Sequence, residues 1–238
     1  MFIRYQTVCL IRKYLLYIFA NRHIHNLLTM RENKKEELFA RTFTLLLTNN
    51  IGDLTLEDVE KATGFTRGAI FYYAKNKLDF FRQVIISQIL EKQDIHRKVS
   101  YTEGMTLKDF IQAYLNGVVN TRAYYMDSVS DSLPENPTHA YLLLILQIKH
   151  YYPDLGERYY TIMQDEKALW KKILTDAVAS GEIACLQDLD TAAATFQSLF
   201  FGYAFHASLG KAFDPAALKA QMMGYYHSLC SHSSCQAV

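Results

Sequence analysis

The sequence predicts an all-α fold: an N-terminal helix-turn-helix three-helix domain followed by a larger C-terminal helical domain. Three observations carry that reading. Apolar residues recur three and four positions apart along nearly the whole chain, the period of helices buried on one face. Only 4 prolines and 10 glycines punctuate the 238 residues, too few for a chain built of strands and turns. Residues 55–77 also carry two sets of helix-start signals separated by a glycine.

The elements follow in order. From Arg31, the run KKEELFARTFTLLLTNN sets Leu38, Phe39, Phe43 and Leu46 on one stripe, and Asn49, Asn50 and Gly52 end it. This helix is expected to pack behind the two that follow. Thr55 is a hydroxyl N-cap, Glu57 and Asp58 occupy the next turn, and Val59 and Ala62 share a face. Gly64 supplies the permissive backbone of a sharp turn. Thr66 caps a second short helix, in which Ile70 and Ala74 point inward. Arg67, Gly68, Phe71, Tyr72 and Lys75 are left on its outer face, a basic and aromatic surface that suits a DNA major groove.

A continuous helix is predicted over 76–98, carrying Leu78, Phe81, Val84, Ile85, Ile89 and Leu90. Beyond Thr106 the pattern predicts helices at 107–127, 138–151, 156–180, 188–209 and 215–229. Pro134 and Pro137, the Tyr152-Pro153-Asp154 run, Gly181 and the Asp214-Pro215 start mark the breaks.

Composition excludes several classes. The formal charge is +1, so no global basic field draws the chain to nucleic acid and any such affinity rests on local groups. The 4 cysteines are scattered without a C-x-x-C pair, which fits a reducing cytoplasm better than a disulfide framework. No run of roughly twenty uncharged apolar residues is present, so no membrane partner is expected. No Gly-x-Ser-x-Gly elbow or phosphate-cradling glycine loop occurs, and neither an enzyme activity nor a cofactor is expected. Residues 1–29 hold Arg4, Arg12, Lys13 and Arg22 but no acid, and Arg12-Lys13 interrupts the apolar centre that a secretory signal needs. They read either as a basic arm or, as favoured here, as a non-native or disordered extension, with Met30 beginning the native chain.

The run GFTRGAIFYYAKNK resembles the recognition-helix signature of the tetracycline-repressor (TetR) family of bacterial regulators. Leu38, Phe39, Gly52 and Thr55 fall where that family places its first helix and second N-cap. Three departures stand out: Phe71 for the usual Tyr, Ala74 for a bulkier apolar residue, and Glu60 where Ala is usual. The resemblance implies a DNA-binding domain over 30–77 and a regulatory ligand-binding and dimerisation domain over 78–238, joined by the 76–98 helix. It places Thr55, Thr66, Arg67, Gly68, Ala69, Phe71, Tyr72, Tyr73 and Lys77 at the DNA. In that arrangement Arg67 forks onto guanine, Phe71 meets a thymine methyl, and Thr55, Tyr72, Tyr73 and Lys77 hold phosphates.

Two further sets are candidates in the C-terminal part. Phe110, Tyr114, Tyr125, Met126, Tyr141, Tyr160, Met163 and Trp170 form an aromatic and methionine set that reads either as core or as the lining of an apolar ligand pocket. Small residues interleave with large apolar ones along 188–209 and the following helix. Ala192, Phe196, Leu199, Tyr203, Met222 and Tyr225 are the expected dimer interface, with burial inside one subunit as the other reading. His227, Cys230, His232 and Cys235 lie in one helix end and its tail, too close together for a closed tetrahedron, so no metal is expected.

The expected function is a cytoplasmic, homodimeric transcriptional regulator. By the resemblance it is a repressor released from a palindromic double-stranded DNA operator by a small apolar or amphipathic effector. The alternative is a helical ligand-binding or interaction protein whose helix-turn-helix no longer reads DNA.

Overall fold

The computed structural model describes residues 31–127, 136–184, 188–210 and 213–231, and all its regular elements there are helical. The N-terminal extension 1–29 and the proposed start at Met30 lie outside them. The chain divides into two compact units, Met1–Phe39 and Ala40–Val238.

Residues 31–48 are helical (α1). In the larger unit, Phe43 and Leu46 of α1 are fully buried. The Arg41 guanidinium donates to the carbonyl of Thr63 at 3.2 Å, fixing this stretch against the end of the next helix. Helices α2 (Leu56–Thr63) and α3 (Arg67–Tyr73) form the predicted helix-turn-helix. Gly64, at φ 72°, ends α2 in the left-handed region, where a Cβ is costly.

The predicted 76–98 helix is not continuous. It starts as α4 (Lys77–Ile85) and passes through a π-helical turn at Ile86–Leu90 into α5 (Glu91–Gln93). It breaks at Asp94, whose backbone leaves the helical region and whose carboxylate caps α6 (Ile95–Lys98) by accepting from His96 N at 2.9 Å. The periodicity continues across the break because Ile95 remains in the core. An Asp side chain competing for backbone donors is the cue that periodicity alone overlooks.

The remaining helices are α7 (Leu107–Asp127), α8 (Pro137–Tyr151), α9 (Pro153–Ala179), α10 (Leu189–Leu209) and α11 (Pro215–Ser231). The prediction starts α9 at Gly156, three residues late. Pro153 fits the first helical position, where a missing N–H costs nothing, so the proline opens the helix instead of delaying it. Helix α10 packs on α8 and α9, and α11 packs on α7 and α10. Their shared core is aromatic. Trp170 stacks on Phe196 with ring centroids 4.6 Å apart and meets Phe110 edge-on at 4.7 Å.

Two side chains position the cavity described below. Asn136 caps α8 by accepting from Thr138 N and His139 N, while its amide donates to the carbonyls of Ala207 and Gly210 at 2.9 Å. One residue thereby ties the start of α8 to the end of α10. Gly117 of α7 lets the backbone of Lys98 approach, since a Cβ there would lie 2.3 Å from the Lys98 carbonyl oxygen.

Candidate nucleic-acid interface and effector cavity

Local capping shapes the outer surface of the helix-turn-helix. Thr55 and Asp58 form a reciprocal capping box: Thr55 Oγ1 accepts from Asp58 N at 3.2 Å, and Thr55 N donates to the Asp58 carboxylate at 2.9 Å. The Thr55 hydroxyl also donates to that carboxylate, and these bonds hold Asp58 below the usual carboxylate range. Thr66 caps α3 by accepting from Ala69 N at 3.3 Å. Ile70 is fully buried beneath the helix, whereas Phe71 is 45% and Tyr72 62% exposed. Gly68 is exposed, and a Cβ there would meet only the Thr66 hydroxyl, at 3.9 Å. The sequence-predicted outer face is therefore outward, with Ala69 and Tyr73 half-buried at its margin.

Two basic residues of this face have partners within the chain. Lys77 donates to the carbonyl of Leu54 at 2.9 Å. Arg67 meets Glu60: its backbone N donates to Glu60 Oε1 at 2.6 Å and its Nε lies 3.3 Å from Oε2. Glu60, one of the departures from the TetR pattern, thus caps the start of α3 and draws the guanidinium toward α2. Its position seven residues before Arg67, across a glycine turn, is the signal that was available.

A polar seam joins the helix-turn-helix to the rest of the unit at the α8–α9 corner. Gln147 accepts from Ile51 N at 2.7 Å, and the Tyr151 hydroxyl donates to Asn50 Oδ1 at 2.9 Å. Tyr152 donates to the carbonyl of Leu78 at 3.2 Å, and burial pushes that phenol up to about 12. Arg82 of α4 grips Asp154 with both guanidinium nitrogens, which lowers the carboxyl and raises the guanidinium.

The opposite end of α8 borders a cavity of about 110 Å³. Tyr141 and Leu142 of α8 line it together with Lys98, Arg122, Tyr159 and Phe200. Of the pocket set read from the sequence, Tyr141 is the member that lines it. Phe110, Tyr114 and Trp170 are fully buried in the neighbouring aromatic core, where the indole Nε1 of Trp170 finds no acceptor among the described residues. Tyr160 is exposed, Met163 is half-buried with its carbonyl accepting from Gln197, and the side chains of Tyr125 and Met126 lie outside the described residues. Residues the sequence reading missed, above all Lys98, Arg122 and Phe200, come from helices far apart in the chain.

Behind the cavity wall sits a buried polar cluster. Lys98, its side chain 4% exposed, lies 3.9 Å from the Glu166 carboxylate, which accepts from the Tyr114 hydroxyl at 2.9 Å. Burial pulls the Lys98 ammonium below the usual lysine range against the opposing pull of Glu166. Burial raises the Tyr114 phenol well above its ordinary value, and it pushes Tyr159 up to about 12.

Of the expected dimer residues, Ala192, Phe196 and Met222 are buried within the subunit, while Leu199, Tyr203 and Tyr225 are partly buried against the core. Ser198, Gly202, Phe205 and Leu209 are among the residues that α10 leaves exposed, and α11 similarly exposes Ala220 and Gly224. Among the described residues no group of three acids, histidines or cysteines is arranged to hold a metal ion. His232 and Cys235 lie outside those residues. No helix among them is long and apolar enough to cross a membrane.

No family model matches the chain. Its fold is similar to that of a Rhodococcus protein assigned to the TetR family of transcriptional regulators, with a TM-score of 0.63 at 15% identity over 84% of this chain and 100% of that one. Salmonella enterica GusR is similar at a TM-score of 0.54 and 16% identity, covering 82% of this chain and 96% of that one. The reduced form of E. coli NemR gives 0.50 at 16% identity, covering 81% and 97%. At these identities the likeness is one of fold, and the fold is that of a TetR-type regulator.

Proposed function

We propose that the protein is a DNA-binding transcriptional regulator, a homodimeric repressor that leaves a palindromic operator when a small apolar or amphipathic ligand enters the cavity beside α8. In this reading residues 30–77 read DNA and residues 78–238 sense the ligand and dimerise. The observation that carries it is the outer face of α3, where a capped helix-turn-helix presents Arg67, Gly68, Phe71 and Tyr72 outward from a buried Ile70. Arg67 at the helix start suits a guanine edge, and Phe71, one turn on, suits a thymine methyl. The Thr55 and Tyr72 hydroxyls and Lys77 suit phosphates that fix the register. The fold likeness to a TetR-family regulator supports the same reading.

The dimer face in this proposal is the exposed stripe of α10 and α11, where a Cβ added at Gly202 or Gly224 would meet nothing within 4 Å and the glycines leave room for close helix approach. A Gly202→Glu variant is expected to sediment as a monomer; if it stays dimeric, the interface is elsewhere. DNA binding is tested by titrating the purified protein with its own upstream DNA over a range of salt. A reader that neutralises several phosphates loses affinity linearly in the logarithm of salt concentration, with a slope of about −0.9 per phosphate contacted. Binding absent at low salt would instead leave a ligand-binding protein whose helix-turn-helix does not read DNA.

A further inference from the structure

We propose that the cavity beside α8 is a site for a small monocarboxylate, with Lys98 and Arg122 as its counter-charges and an aromatic or short aliphatic body lying among Phe200, Phe201 and Phe213. As an effector site this rests on the regulatory reading above; as a binding site it stands alone.

The argument begins with charge. Lys98 and Arg122 both line the cavity, and no Asp or Glu among the described residues does. Lys98 is held where a cation is costly, and its side chain is almost fully buried. Around its ammonium are Gln93 Oε1 at 3.4 Å and the faces of Tyr114 and Phe200 at 5.3 and 5.1 Å. Its acidic neighbour among the described residues, Glu166, stands 3.9 Å away at the outer limit of an ion pair and also accepts the Tyr114 hydroxyl. Packing of the Lys98 backbone against Gly117 limits how far the residue can retreat. Arg122 donates to the Phe213 carbonyl at 3.1 Å and lies 5.4 Å over the Phe213 ring, contacts that orient the guanidinium without neutralising it.

Among the described residues, two cations and one nearby carboxylate leave a single excess positive charge at an apolar wall. A monoanion neutralises it. A dianion reverses the imbalance, a cation worsens it, and a neutral ligand covers the site while leaving the charge uncompensated and less hydrated. The rest of the wall supplies apolar contact from Val118, Leu142, Ala204 and the three phenylalanines. Thr121, Thr138, Tyr141 and Tyr159 complete the lining. A cavity of about 110 Å³ favours a small body over a long chain.

The test uses the full-length protein, calorimetry, and matched probes: benzoate and hexanoate, their neutral amides, and the dianion phthalate. The monocarboxylates are expected to bind about tenfold or more tightly than the amides or phthalate, the size of a charge-assisted hydrogen bond set against a neutral one. Arg122→Gln should reduce that preference while leaving amide affinity in place. Lys98→Met alone strands Glu166, so Lys98→Met is paired with Glu166→Gln, which removes the pair, leaves Arg122 as the single excess charge and should weaken the preference without erasing it. Equal affinity for acid and amide, no binding of any probe, or a preference that survives Arg122→Gln undiminished overturns the proposal. DNA affinity is measured separately. If benzoate binds with the expected preference yet leaves DNA affinity unchanged, the carboxylate site stands and the regulatory reading falls. If DNA binds and no acid does, the reverse holds.

Discussion

Within α2 and α3 the polar contacts that shape the outer surface join close neighbours. The Thr55–Asp58 box, the Thr66–Ala69 cap and the Glu60–Arg67 pair span at most seven residues. The cavity is assembled the other way. Leu47, Lys98, Arg122, Tyr141, Tyr159 and Phe200 meet only after six helices have packed. The outer surface of the helix-turn-helix can therefore be altered one residue at a time with little effect on the fold. The cavity cannot be separated in that way from the aromatic core behind it, which sets the scale of what a substitution costs in each place.

The largest effect is expected at Trp170. It is fully buried and stacked on Phe196, and truncating it leaves a void that rigid helices fill poorly. Trp170→Ala should cost about 3–5 kcal/mol of unfolding free energy in a urea titration, the usual range for an aromatic lost from a core. A loss under about 1 kcal/mol would mean the site collapses freely, and the contrast between a rigid core and an adaptable surface would fail.

The same contrast explains what the sequence could disclose. The Thr55 and Thr66 caps, the Gly64 turn and the inward Ile70 were legible because each acts within a turn or two of itself. Helix starts in the larger part were legible at Asp188 and Pro215, but not at Pro153, which reads as a break and in fact opens α9. Asp94 was missed because hydrophobic period, which continues through Ile95, outweighed a single capping side chain. The pocket set was drawn from residue type alone, and type does not distinguish Trp170, sealed in the core, from Tyr141, at the cavity wall. Nor does it reveal that Lys98 is buried, since lysine is ordinarily a surface residue. Which face of a helix meets which neighbour is settled by packing across distant segments, and periodicity leaves that register open.

The next effect in size concerns the reader. Arg67 is about half exposed and contributes little to folding, so Arg67→Ala should leave the urea midpoint nearly unchanged. On the operator it should cost about 1–3 kcal/mol and relax preference at one base pair per half-site, measured by binding-site selection at two salt concentrations. An unchanged selected sequence would remove Arg67 from base reading. Glu60→Gln supplies the opposing arm. It keeps an acceptor for the Arg67 amide but removes the charge that draws the guanidinium toward α2. Because an exposed ion pair is worth about 0.2–1 kcal/mol, the variant should bind operator up to about fivefold more tightly. A weaker complex would show that Glu60 positions Arg67 for DNA instead of competing with it.

The smallest effect lies at the seam, where reader and cavity share one helix. Tyr141 and Leu142 of α8 line the cavity, and two turns further on Gln147 accepts from Ile51 N at 2.7 Å. Ile51 is buried, so its amide has no ready water to replace that acceptor. Gln147→Ala should therefore make local opening at Ile51 easier by about 1 kcal/mol, which accelerates hydrogen exchange at that amide about fivefold. Amides inside α9 should exchange as before, because the substitution removes no core contact there. Operator affinity should fall only slightly, since the outer face of α3 is untouched. If a ligand at the cavity acts on the reader through α8, the same variant should also weaken the effect of ligand on DNA binding while leaving ligand affinity in the absence of DNA unchanged. Unaltered exchange at Ile51 would show that the 49–52 loop is held by something other than α8, and the link from cavity to reader would then have to run through α4 and its π-helical turn instead.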